Sequence, residues 1–181
     1  MPRLDLNSIP VVSGTGYPPP FDDIVSGRSR QALGAAGGLT QFGVNLVELK
    51  PGAASSQRHW HSDVDEFVMV VSGELTLVTD EGETLMRAGD YAAFPAGQPN
   101  GHHLVNRSWG NALLLAIGPE SPLDRAVYPD IDLLYDGSTD SYTHRDGTPY
   151  PKRDTGTAGV APADSPALEE HDLKPRVYRH E

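Results

Sequence analysis

Four of the chain's seven histidines fall in two tight pairs, His59/His61 and His102/His103. In an extended strand, residues two apart face the same side. His59 and His61 can therefore aim both imidazoles at one point. Glu66 follows where an apolar run begins, and an antiparallel neighbour can bring its carboxylate back beside the two rings. Asp65 competes for that place. A histidine of the second pair arrives from a later strand; the two rings of that tandem pair face opposite ways. Three neutral imidazoles and one carboxylate suit Fe(II), Mn(II), Ni(II), Cu(II) or Zn(II), with positions left open for water or substrate. The chain has no Cys, so any metal must be held by nitrogen and oxygen. The same absence excludes a disulfide framework and any thiolate-bound zinc or iron–sulfur site.

The elements that must position these residues can be read from Gly and Pro. Residues 1–38 hold five Pro and residues 119–181 hold eight, whereas 39–118 hold three Pro but nine Gly. Proline removes ladder donors, so the Pro-poor, Gly-punctuated middle is where a sheet can form. It reads as short strands: 42–49, 56–61, 66–71, 74–79, 84–87, 91–94, 102–106 and 111–117. Turns stand between them at Ser72-Gly73, Asp80-Glu81-Gly82-Glu83 and Ala88-Gly89-Asp90, where Gly supplies positive φ. Many short strands with regular turns predict an all-β antiparallel sandwich or barrel. The expected organisation is an extended N-terminal arm over 1–38, a barrel over 39–118, a segment packed on it over 119–151, and a flexible tail over 152–181.

Composition narrows the function classes further. The 181 residues carry a net charge of −11, which argues against a duplex-DNA binder. No apolar run is long enough for a transmembrane helix. No apolar segment follows Met1-Pro2-Arg3, so no signal peptide is expected and a cytoplasmic location is the default.

The full pattern is Gly52-x6-His59-x-His61-x4-Glu66-x6-Gly73, then Gly89-x5-Pro95-x-Gly97-x4-His102-x3-Asn106. It resembles the two signature motifs of the cupin superfamily. One residue is added between Gly52 and His59, and two between Gly97 and His102, all in turns. With Tyr142 to Tyr150 and Gly101 to Ser108, the chain resembles a broad group of single-domain bacterial cupins, loosely labelled sugar-phosphate-isomerase-like. The resemblance implies a jelly-roll β-barrel with one divalent metal (Zn, Fe, Mn or Ni) at one end. Carried over by motif position, the ligands are His59, His61, Glu66 and His102. The motif spacing selects Glu66 over Asp65 and His102 over His103.

A metal held so can bind an oxygen-rich carbonyl or enediol substrate. The expected chemistry is non-redox isomerisation, epimerisation or elimination. The alternatives are an Fe(II)-dependent dioxygenase and a non-catalytic binding module. By strand parity Val68 and Val70 share the face of Glu66, and Leu104 that of His102, so the interior below the metal should be apolar. Tyr91, His103 and Glu48 are the acid–base candidates, with Tyr91 and His103 preferred. Asp63, Gln57, Asn45 and Asn106 are candidates to accept the second ring N–H of the ligands. Arg58 is the only cation near the motif, and its parity is opposite to His59, which argues against a phosphorylated substrate. His144 belongs to a surface turn. The expected partners are a small molecule and a second copy of the chain, a homodimer paired through edge strands, with no nucleic acid or membrane.

Overall fold

The computed structural model describes residues 3–152. The tail expected over 152–181 lies almost wholly outside them. Among the described residues no helix is long and apolar enough to cross a membrane. Thirteen short strands carry the fold among the described residues, with one four-residue α-helix, Leu33–Ala36. They are β1 (Val12–Ser13), β2 (Arg28–Ala32), β3 (Gly43–Leu49), β4 (Trp60–His61), β5 (Glu66–Ser72), β6 (Glu74–Thr79) and β7 (Gly82–Arg87). After these come β8 (Tyr91–Phe94), β9 (His103–Val105), β10 (Ala112–Gly118), β11 (Arg125–Tyr128), β12 (Leu133–Asp136) and β13 (Ser141–Thr143).

The strands form three antiparallel sheets: β1-β2-β3-β10-β5-β8, β7-β6-β9 and β13-β12-β11-β4. The main core lies between the first two. Val47 and Leu49 of β3, Val68 and Val70 of β5, and Ala112 and Leu114 of β10 meet Leu75, Met86 and Leu104 from the three-stranded sheet. Alternation along β5 is clean, with Val68 and Val70 buried and Phe67 and Met69 exposed. Each fully buried Leu or Val contributes roughly 1.5–3 kcal/mol of transfer free energy. This is the all-β jelly-roll class the sequence predicts.

The tight turns follow the glycine pattern. Gly73 joins β5 to β6 with φ +74, and a Cβ there would lie 3.0 Å from the Asn111 carbonyl and from the Ala112 side chain. Only glycine meets both the dihedral and the space.

Two elements differ from expectation. The segment before residue 39 is no mere arm: β2 pairs along β3, from Arg28↔Leu49 to Ala32↔Asn45, and widens the main sheet. The strand expected over 56–61 is paired as a strand only at Trp60–His61; before it, His59 makes an isolated bridge with His102. A second cluster of Tyr17, Val25, Ala126, Tyr128 and Leu133 joins the N-terminal segment to the β11–β12 hairpin.

Candidate metal centre

Backbone pairing brings the first two rings together. His59 N–H donates to the His102 carbonyl at 3.2 Å, and His102 N–H returns to His59 at 2.9 Å. The two ring centroids stand 5.2 Å apart. His61, on the same face, meets the His59 ring edge-on at 4.7 Å. Glu66 opens β5 opposite Phe94 of β8. The Phe94 ring lies flat on His102, with centroids 3.6 Å apart and 3° between planes. Tyr128 of β11 stacks on His59. Rotamers held between such neighbours lose little further freedom when an ion binds.

The hydrogen bonds assign the lone pairs. His59 Nδ1 donates to the Gln57 carbonyl at 2.9 Å and His61 Nδ1 to Asp124 Oδ2 at 2.6 Å. With the proton on Nδ1, the Nε2 atoms of both rings carry lone pairs. These two atoms lie 3.0 Å apart. Each is 4.0 Å from Glu66 Oε2. Facing lone pairs beside a carboxylate repel, and a cation relieves them. His59, His61 and Glu66 offer ligand atoms within 4.8 Å of one another. His102 Nε2 joins from the far side, 3.1 Å from Glu66 Oε2. Its Nδ1 lies 3.2 Å from the Asn100 carbonyl, so this ring has an acceptor at either nitrogen. The donor set fits one divalent metal ion of the nitrogen- and oxygen-preferring kind.

The charge states suit that use. Burial pulls the His59 ring down to about 4, against the attraction of Glu66, so it is a neutral donor near pH 7. For Glu66 burial pushes upward, yet the hydrogen bond with His102 and the neighbouring histidines hold its carboxyl down to about 2.

His59, His61 and Glu66 stand on the wall of a cavity of about 870 Å³. Val68, Leu104 and Leu114 give it an apolar floor. The rest of the lining comes partly from the N-terminal segment, including Tyr17, Arg28 and Arg30. Burial raises the pKa of the Tyr17 hydroxyl, which receives a hydrogen bond from Gln57 N–H and is linked to the Tyr128 hydroxyl. The Gln57 backbone thus touches the Tyr17 hydroxyl through its N–H and the His59 ring through its carbonyl.

Three of the four sequence-predicted donors, His59, His61 and Glu66, form one ligand-capable group, and His102 reaches it through Glu66; the two preferred acid–base residues face elsewhere. Tyr91 is 72% exposed and stacks on Phe67 on the outer face of the sheet. It alternates with the inward-facing Phe94, and strand parity sends its ring away from the cavity. His103 faces opposite to His102 and spends Nδ1 on the Ser56 carbonyl at 3.0 Å. Glu48 lies between the buried Val47 and Leu49 and points to the other face of β3. Asp65 accepts from Ala96 N–H at 2.8 Å and leaves the ligand place to Glu66.

Of the four expected N–H acceptors, only Gln57 serves, through its carbonyl rather than its side chain. Asp63 reaches the site only by donating its backbone N–H to Asp124. Asn106 ties the Leu49 and Gly110 carbonyls together, and Asn45 accepts from Arg30. Asp124, which holds His61, lies beyond the motif region and carries no local sequence signal. Arg58 is turned away, paired with Asp130 and Asp80. His144 pairs with Asp132 in its surface turn.

The sequence profile of the Cupin domain family matches residues 45–118. The chain is similar to a solved structure from Silicibacter pomeroyi, described as a sugar phosphate isomerase from a cupin superfamily. The two are 51% identical, with a TM-score of 0.79, and the match covers 83% of this chain and 97% of the other. A candidate sugar phosphate isomerase from Acidithiobacillus ferrooxidans is 26% identical, with a TM-score of 0.61, over 70% of this chain and 81% of that one. Quercetin 2,3-dioxygenase of Bacillus subtilis is 30% identical over 112 residues, 57% of this chain. The chain spans about a third (33%) of that curated relative's length.

Proposed function

The chain belongs to the cupin superfamily, and on that footing we propose that it is a metal-dependent enzyme acting on a small, oxygen-rich carbonyl or enediol substrate by non-redox isomerisation, epimerisation or elimination. The observation that carries this reading is the meeting of the His59 and His61 ε-nitrogens, 3.0 Å apart, beside Glu66 on the wall of a substrate-sized cavity. His59, His61, Glu66 and His102 would hold one divalent ion (Zn, Fe, Mn or Ni). Such an ion, when bound, polarises a carbonyl or hydroxyl oxygen and acidifies the adjacent C–H.

The chain's own residues supply the rest. Val68, Leu104 and Leu114 keep the floor apolar, which strengthens charge interactions above it. Tyr17 offers a protonated hydroxyl at the cavity wall, because burial raises its pKa. It takes the acid–base place expected of Tyr91 and His103. Tyr128 links the Tyr17 hydroxyl to that of Tyr142, a path along which a proton handed to substrate oxygen can be replaced.

The description of the Silicibacter relative as a sugar phosphate isomerase supports this class. The similarity to a quercetin 2,3-dioxygenase favours a second reading, O₂-dependent oxygenation at the same site. A non-catalytic binding module is the third. Metal analysis of wild type beside His61→Ala tests the site, and a wild type without stoichiometric metal overturns it. Turnover of a hydroxyketone panel under argon supports isomerase or lyase chemistry, whereas O₂ consumption with Fe(II) selects the dioxygenase. Saturable binding with no product by either route selects the module. A homodimer is also proposed, supported by exposed Phe67, Met69 and Tyr91 beside the edge strand β8. Light scattering that returns the single-chain mass overturns it.

A further inference from the structure

Arg28 and Arg30 stand two apart on β2, opposite Leu49 and Val47 of β3, so they share the inward face of the main sheet. Both line the cavity that holds His59, His61 and Glu66. Arg28 uses Nη1 to donate to the Ser55 carbonyl at 2.6 Å. Arg30 donates from Nη1 to Asn45 Oδ1 at 3.4 Å. A guanidinium carries five N–H donors, so each retains several for another partner.

Among the described residues no carboxylate oxygen lies within the 4.0 Å ion-pair distance of Arg28 or Arg30. Elsewhere in the chain Arg58, Arg87, Arg107 and Arg125 each pair with Asp or Glu. Arg145 also makes no ion pair, but it spends its guanidinium on the Tyr128, Pro129 and Ile131 carbonyls, whereas Arg28 and Arg30 face the cavity. Burial lowers the Arg28 pKa, opposed by Tyr17 and helped in smaller part by repulsion from Arg30. Arg28 is half-buried and Arg30 exposed at the cavity mouth; a half-buried guanidinium without a counter-charge is costly unless an anion arrives to complete it.

The geometry points to an anion-binding pole: we propose that Arg28 and Arg30, with Asn45 beside them, bind a phosphate or carboxylate at the end of the substrate remote from its metal-facing oxygens. This rests on the reading of the cavity as the active site, and it names the substrate class: a small anionic hydroxycarbonyl compound. β2 and β5 are separated by β3 and β10, three strand spacings or about 14 Å of backbone, which arginine stems partly close. A chain of a few carbons fits between the poles. Asp22, Asp23 and Asp65 also line the cavity, so an anion entering it is directed to the arginines and not to a generally basic surface.

The test is calorimetric titration of inorganic phosphate and of acetate, with neutral glycerol as control, into wild type, Arg28→Gln and Arg30→Gln. Each protein is measured metal-loaded and again after the metal and chelator are removed, so that anion binding to the ion is separated from binding to the arginines. Wild type should bind at least one anion in both forms, and each variant should bind it tenfold to a hundredfold more weakly. Tighter phosphate binding assigns a phosphate ester, and acetate binding as tight or tighter assigns a carboxylic acid; either supports the proposal. No anion binding by metal-free wild type, or equal binding by wild type and Arg30→Gln, overturns it. Arg30→Gln guards against a folding defect in Arg28→Gln, whose bond to Ser55 is lost. Metal content read in the same samples keeps the two ideas apart. Arginine-dependent binding without stoichiometric metal refutes the metal reading and leaves the anion pole standing.

Discussion

Asp124 Oδ2 lies 2.6 Å from His61 Nδ1, although 63 positions separate the two residues. Register explains the meeting: β4 pairs with β11, His61 opposite Ala126, which brings the start of β11 over the His61 ring. Asp124 Oδ1 is also occupied, by Asp63 N–H at 3.0 Å, so the carboxylate cannot swing away. Such a partner fixes the tautomer and raises the basicity of Nε2.

Asp124→Asn should therefore weaken metal affinity about 10- to 100-fold while His61 stays in place. Competition against a chromogenic chelator measures this. An affinity equal to wild type would show that His61 needs no anionic acceptor.

His61→Ala should remove the stabilisation that metal gives. A metal at about 100 times its Kd adds roughly 2.7 kcal/mol to wild type. His61 is partly exposed, so the metal-free variant should melt close to metal-free wild type. Differential scanning calorimetry with and without added Mn(II) or Zn(II) reads both. A full metal-induced rise in the variant contradicts the assignment.

Acid should destabilise the metal-free protein in one direction throughout. His59 takes up its proton at about 4 in the fold, against an ordinary value of 6.5, so the unfolded chain is protonated first. Its contribution is full above 6.5 and is lost as pH falls towards 4. Glu66 titrates at about 2 against an ordinary 4.5, so its contribution is full above 4.5 and is lost as pH falls towards 2. Urea midpoints should fall steadily from pH 6.5 downward. A midpoint that is flat or rising between pH 6.5 and 4 contradicts the His59 environment.

Tyr91→Ala should leave metal content and turnover unchanged and shift stability by no more than about 0.5 kcal/mol, as for other exposed positions. His103→Ala should also keep its metal, at a cost of about 1 kcal/mol for the bond to Ser56. Tyr17→Phe should keep its metal but lower kcat. Equal turnover in Tyr17→Phe and wild type removes Tyr17 from proton transfer.

The shared faces of the donor residues were legible because that geometry is local, whereas the full set with His102 followed only from the motif resemblance. Period-two alternation places His59 with His61, and Glu66 with Val68 and Val70, on single faces whatever the rest of the chain does. The turns at Gly73, Gly82 and Gly89 were legible for a similar reason, since positive φ is a property of one residue. Arg28 and Arg30 were not. A strand that turns arginines inward has no apolar alternation, so Arg28-Ser29-Arg30-Gln31-Ala32 reads as a polar arm. Asp124 and Tyr17 were hidden by distance, because only tertiary register places them beside His61 and Gln57. Tyr91 and His103 were chosen by residue type, although strand parity already sets His103 opposite His102; Tyr91 likewise lies on the face opposite Phe94.

The cavity is thus assembled from two kinds of chain. The motif stretch supplies the metal donors, while β2 and the loop before it supply the arginines and the tyrosine. Chains alike in the His–Glu box can therefore diverge in what they transform without touching that box. On the proposed reading, a change at position 17, 28 or 30 alters the substrate and leaves the ion site in place, so residues 17–30 are the place to look when deciding whether an activity assigned to one relative passes to another.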